Sequence, residues 1–147
     1  MVVPDRIAAG YAATLAALVV PGPAPVFDLV LLGVGSDGHV ASLMPRSAAL
    51  HATAPVAAVA QEEVSAHPRV ARITVTPPVL GAVRHVIVVV AGGDKAAAVA
   101  AALHDPGDGT LIPARLVRPA PHVTWVIDRA AAAELLRDAR PCADGER

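Results

Sequence analysis

Aromatic side chains are nearly absent: the 147 residues hold one Phe, one Trp and one Tyr. That leaves no stacking platform of the kind that binds single-stranded nucleic acid. Neither sign of charge dominates, with 12 basic against 13 acidic side chains. A nucleic-acid surface needs a dense basic face, so no nucleic-acid partner is expected. The single cysteine, Cys142, cannot close an internal disulfide. No Cys/His spacing reads as a zinc site. A reducing, cytoplasmic compartment is the simplest reading of one unpaired thiol. Apolar runs such as 86–91 are far too short to cross a bilayer, and the first residues lack the order of a signal peptide. No membrane partner is expected, and the oligomeric state is left open.

What the chain has in quantity is small apolar residues. Hydrophobic side chains make up 54%, mostly Ala and Val. Such a composition folds, and it builds its core by close packing of small side chains. The length fits one domain. Residues 1–140 are expected to form it, and 141–147 to be a frayed tail. Near-neutrality still permits phosphate binding, because a local cation and a few backbone N–H groups suffice.

Ile7, Tyr11, Leu15 and Leu18 recur at helical spacing, which predicts an amphipathic helix over 4–18. Pro21, Gly22, Pro23 and Pro25 break it. Residues 27–32 form a short apolar run ending in glycine, read as a buried strand. The stretch 46–68 is ambiguous and reads as loop with some helix. Strands are expected at 70–76, 86–90 and 123–127. Thr76 before Pro77 makes an N-cap and first-turn pair. Helices are expected at 95–103 and, capped by Asp128, at 129–137, with a Gly/Pro-punctuated loop over 104–121. Alternating strands and helices favour a parallel sheet with helices on each face. Ligands of such sheets bind beyond the carboxyl ends of the strands. That rule singles out Gly33–His39 and Gly92–Lys95.

In the first segment Gly33, Gly35 and Gly38 allow a sharp turn and close approach to a ligand. His39 then emerges beside Asp37. An imidazole is the usual proton acceptor at neutral pH, and a neighbouring carboxylate orients it. The same glycines match the dinucleotide pattern G-x-G-x-x-G. That pattern needs a long helix after its third glycine, and Met44-Pro45 interrupts too early. A purely structural turn, with His39 a bystander, is the plainer alternative. In the second segment a helix start and Lys95 together favour an anion, against the plainer reading of a solvated lysine. Arg72 could reach a phosphate with its planar fork, although an exposed arginine at a strand start is commoner. His51, His67, His85, His104 and His122 are assigned no role. No G-x-S-x-G elbow supports a serine triad.

The segment 27–45, FDLVLLGVGSDGHVASLMP, resembles the signature of the glucosamine-6-phosphate isomerase/6-phosphogluconolactonase superfamily on its lactonase side. Residues 72–76, 92–95 and 123–128 are similar to later blocks of that family. The resemblance implies an α/β, Rossmann-like, mostly parallel sheet flanked by helices. It implies a hydrolase of the pentose phosphate pathway that opens a phosphorylated sugar lactone. His39 would activate water, Asp37 would be its neighbouring acid, and Lys95 and Arg72 would hold the phosphate near Gly33, Gly35 and Gly38. Neither a metal nor an organic cofactor is implied. The deaminases of the superfamily read Asn-Glu-Pro where this chain has Leu43, Met44 and Pro45. Met44 cannot shuttle protons, which favours the lactonase.

Family lactonases begin with further strands and helices, including a Gly-Gly-Ser-Thr-Pro phosphate loop and an Asp-Glu-Arg block. Neither is found in this sequence. The resemblance therefore implies an incomplete domain, with a strand edge and apolar helix faces left exposed. A sugar-phosphate-binding fragment without turnover is the alternative to a lactonase.

Overall fold

The computed structural model describes residues 3–18, 26–104, 107 and 109–138. The expected tail, Cys142 and the Pro21–Pro25 break lie outside the described residues.

Three parallel strands position everything that follows. They are β1 (Leu29–Gly33), β4 (His85–Val90) and β5 (His122–Ile127), with β4 in the middle. Leu29 pairs with His85 and Gly33 with Val89 on one side. His85 pairs with His122 and Val90 with Ile127 on the other. Strand β4 reads HVIVVV, and β-branched residues suit a pleated, packed surface. Its Val86, Val88 and Val90 are buried together with Leu32. Onto that face pack α3 (Ala96–Leu103), through Ala98, Val99 and Ala102, and Ala131 ahead of α4 (Ala133–Asp138). The small side chains let helix and sheet approach closely, as the composition requires.

The opposite face departs from expectation. Among the described residues no helix covers this side, and Leu29, Leu31, Val89 and Val126 stand exposed, with Leu31 at 66%. The alternating burial of β4 and β5 is the signature of a sheet covered on one side alone. His85 and His122 stack on this bare face, ring centroids 4.8 Å apart. Among the described residues β1 has a strand partner on one side only.

The expected strand at 70–76 forms as β3 (Arg72–Val75), but outside the parallel sheet. It pairs antiparallel with β2 (Val56–Val59), a strand in the stretch read as loop with some helix, where 3₁₀ turns do form at Ala48–His51 and Gln61–Glu63. Strand β2 reads VAAV, too short and too rich in Ala to announce itself. The first helix, α1 (Val3–Leu18), lies on this pair, burying Ala8 and Leu15 against Val56. Ile7, Tyr11 and Leu18 of the expected apolar stripe are exposed, Leu18 at 76%. Among the described residues only a narrow Ala/Leu seam of α1 has something to pack against.

Helix α2 (Pro77–Ala82) starts at the expected Thr76. The Thr76 hydroxyl does not cap it; it donates to the Ala54 carbonyl at 2.6 Å. A 3₁₀ turn, Gly93–Lys95, precedes α3, so that helix begins at Ala96. Asp128 accepts from the Ala131 amide at 2.7 Å, and α4 begins only at Ala133. The loop over 104–121 contains a further 3₁₀ helix, Pro113–Val117.

Candidate active site

The loop after β1 closes on itself. The Gly35 amide donates to the His39 carbonyl at 2.9 Å, and the Gly38 amide donates to the Gly35 carbonyl at 2.9 Å. Gly38 has φ +84°, a region open to glycine and costly for other residues. Its carbonyl accepts from the Ala114 amide at 2.9 Å, which ties the loop to the Pro113–Val117 helix. Gly35 is required for a different reason. A Cβ there would lie 2.1 Å from Nδ1 of His39. The imidazole rests on bare backbone.

Asp37 fixes that ring. Its Oδ1 lies 2.6 Å from Nδ1 of His39 and accepts from the His39 amide at 3.1 Å. Its Oδ2 accepts from the hydroxyl of Ser65. Burial pushes the Asp37 carboxyl up, but the hydrogen bonds from Ser65 and from the amide and ring of His39 outweigh it. The net effect holds Asp37 below the ordinary carboxylate range. A carboxylate on Nδ1 fixes the proton there and leaves Nε2 as the acceptor.

A cavity of about 330 Å³ opens beside this pair. Gly35, Ser36, Asp37, His39, Ser65, Ala66, His67 and Lys95 line it. A second hollow of about 410 Å³, running from Leu31 to Ala41, shares Gly35, His39 and Lys95 with the first. The two expected segments at the carboxyl ends of β1 and β4 therefore meet, as the topology of a parallel sheet dictates. Lys95 is ion-paired with Asp94 at 2.9 Å. The hydrogen bond from Lys95 is the largest influence lowering the Asp94 carboxyl. A larger cavity, about 660 Å³, lies between α1 and β2, but Asp5 is its one charged side chain.

Not every expected residue faces the cavity. Arg72 is outside both linings; its Nη2 donates to the Pro68 carbonyl at 3.0 Å and braces the loop before β3. The Gly35 and Gly38 amides are spent within the loop, Gly33 borders only the second hollow, and Gly38 borders neither. Conversely, the sequence reading missed Ser65 and His67. They come from the loop between β2, a strand that the sequence did not announce, and β3. The one local signal was a cluster of small and polar residues just ahead of the Arg72 strand. Among the described residues no group of three or more His, Cys, Asp or Glu side chains could hold a metal.

The family model for glucosamine-6-phosphate isomerases/6-phosphogluconolactonase matches residues 2–125. The chain belongs to this family. It is 43% identical over 133 residues to a 6-phosphogluconolactonase of Mycobacterium tuberculosis, covering 89% of this chain and 52% of the relative. It is 39% identical over 115 residues to one of Nostoc, covering 78% of this chain and 46% of that protein. Among solved structures, the 6-phosphogluconolactonase of Trypanosoma brucei superposes with a TM-score of 0.77 at 33% identity, over 88% of this chain and 53% of that one. The chain thus spans about half the length of the curated relatives it matches. The residues that line the candidate site all fall within the matched segment.

Proposed function

We propose that the chain carries the catalytic part of a lactonase that hydrolyses 6-phospho-D-glucono-1,5-lactone to 6-phosphogluconate. The observation behind this reading is the Asp37–His39 pair beside Lys95 in one cavity. The relatives that bear the name 6-phosphogluconolactonase support the substrate. With Nδ1 held by Asp37, Nε2 of His39 takes a proton from water as the oxygen attacks the lactone carbonyl. The tetrahedral intermediate collapses by breaking the bond to the ring oxygen. That oxygen takes the proton back from His39 and becomes a hydroxyl. The new carboxylic acid ionises at neutral pH. Lys95 supplies the positive charge for the phosphate, with Ser36 and His67 as neighbouring hydrogen-bonding groups. A phosphate there competes with Asp94 for the same ammonium. Arg72 serves by holding the 65–70 loop in place.

No metal or organic cofactor has a part in this sequence of steps. No described helix is long and apolar enough to cross a membrane, and we place the reaction in the cytoplasm.

The test is turnover of freshly generated lactone by this chain and by a chain extended to the length of its relatives, each with His39→Ala as control. The extended chain should hydrolyse the lactone and lose that activity on His39→Ala. Equal turnover in the control would remove His39 from the chemistry. Binding of 6-phosphogluconate by the 147-residue chain without turnover would support the binding fragment.

A further inference from the structure

The two oxygens of Asp37 have different masters. Oδ1 takes the ring and amide of His39, two residues away. Oδ2 takes the hydroxyl of Ser65, 28 residues further along the chain. The Ser65 Oγ also lies 3.3 Å from Sδ of the buried Met44. A hydroxyl has one hydrogen, and a carboxylate is a far stronger acceptor than a thioether. The hydrogen therefore belongs to Asp37, and Met44 packs against the oxygen.

We propose that Ser65 is a positioning residue that locks the Asp37 carboxylate, and through it the tautomer and aim of His39. The proposal rests on the reading of His39 as the base. The carboxylate of an Asp turns freely about its last bond, with broad rather than staggered minima. Asp37 and His39 share one short loop, and their mutual bonds use Oδ1 alone, which leaves Oδ2 to be held from elsewhere. Ser65 arrives from a separate element and supplies the outside anchor. It does not act as a nucleophile, because its hydroxyl donates to the acid and not to the imidazole.

The charged and titratable groups around the pair leave this role to Ser65. Lys95 is engaged by Asp94 across the cavity. Glu63, on the 3₁₀ turn before Ser65, accepts from the Ala48 amide at 2.9 Å. Arg72 is turned to Pro68. His67 lines the cavity with no hydrogen bond to Asp37.

The test uses ring ¹⁵N shifts of His39 and the carboxyl ¹³C titration of Asp37 in the 147-residue chain. Ser65 is exposed, so Ser65→Ala should leave the melting temperature nearly unchanged. The wild-type neutral ring should carry its proton on Nδ1. Ser65→Ala should mix the tautomers and raise the Asp37 titration, while Ser65→Thr, which keeps the hydroxyl, restores both. An Ala variant with the wild-type tautomer and an unmoved Asp37 overturns the proposal. Should Ala perturb the fold, Ser65→Cys, a weaker donor, must show the same two changes in part, and no change overturns it equally. In the extended chain Ser65→Ala should lower kcat about tenfold with KM nearly constant, a fraction of what a general base contributes. A tautomer change with His39→Ala still fully active would sink the base reading and leave the positioning role standing.

Discussion

Asp128 accepts a hydrogen bond from the Gly92 amide at 3.1 Å, joining the turns that follow β4 and β5. Its other oxygen takes the Ala131 amide at 2.7 Å. One side chain thus closes the turn at 128–131 and holds the segment that carries Lys95. Asp128→Ala should cost about 1 kcal/mol, the usual net worth of such hydrogen bonds, measured by urea denaturation. It should also weaken 6-phosphogluconate binding, because the Gly92–Lys95 turn loses its tether. Asp128→Asn should recover most of the stability.

Gly35→Ala tests the contact between backbone and imidazole. The new methyl would lie 2.1 Å from Nδ1 of His39 and 2.6 Å from Oδ1 of Asp37. Ring and carboxylate must both move. Turnover of the extended chain should fall about a hundredfold or more, the range a general base supplies. Unfolding should shift by only about 1–3 kcal/mol, the cost of local overpacking. Unchanged turnover would mean that the ring does not need this seat.

The pH dependence of folding follows from Asp37. Its carboxyl is lowered in the folded chain from an ordinary value of 3.8, by the bonds from Ser65 and His39 and against its burial. The unfolded chain therefore binds the proton more readily. The stabilisation is complete above about 3.8 and disappears as pH falls through the lower folded value. Asp37→Asn should flatten the fall of melting temperature in that acid window. Glu63, lowered by its bonds to Ser47 and Ala48, contributes in the same direction in its own window.

The bare sheet face makes a further prediction. Leu31 is 66% exposed and Val126 52% exposed, neighbours of Ile87 and Val89 on one surface. An environment-sensitive hydrophobic dye should bind there and fluoresce. Leu31→Lys with Val126→Lys should abolish most of that signal and change stability by no more than about 0.5 kcal/mol per site. Dye binding that survives both substitutions would place the dye on another apolar surface, such as the exposed Ile7, Tyr11 and Leu18 of α1.

The parts of the molecule legible in its sequence are those built from near neighbours. The β4 run of valines announces itself, as does the pairing of His39 with an acid two residues before it. The meeting of that loop with Lys95 follows from strand parallelism alone. The illegible parts depend on distant partners. The stripe Ile7, Tyr11, Leu18 reads as a buried face, yet nothing described covers it. Strand β2 exists because β3 and α1 lie beside it, not because VAAV favours a strand. Ser65 reaches Asp37 by tertiary folding across 28 residues, and no local spacing encodes that.

The closed Gly35–His39 loop also limits how the site can diversify. A methyl is excluded at 35, a left-handed backbone is demanded at 38, and 37 and 39 are committed to each other. Within this loop only Ser36 is both exposed and turned to the cavity. Variation within this loop is thus funnelled into a single position, where a changed side chain faces the cavity without disturbing the Asp37–His39 pair.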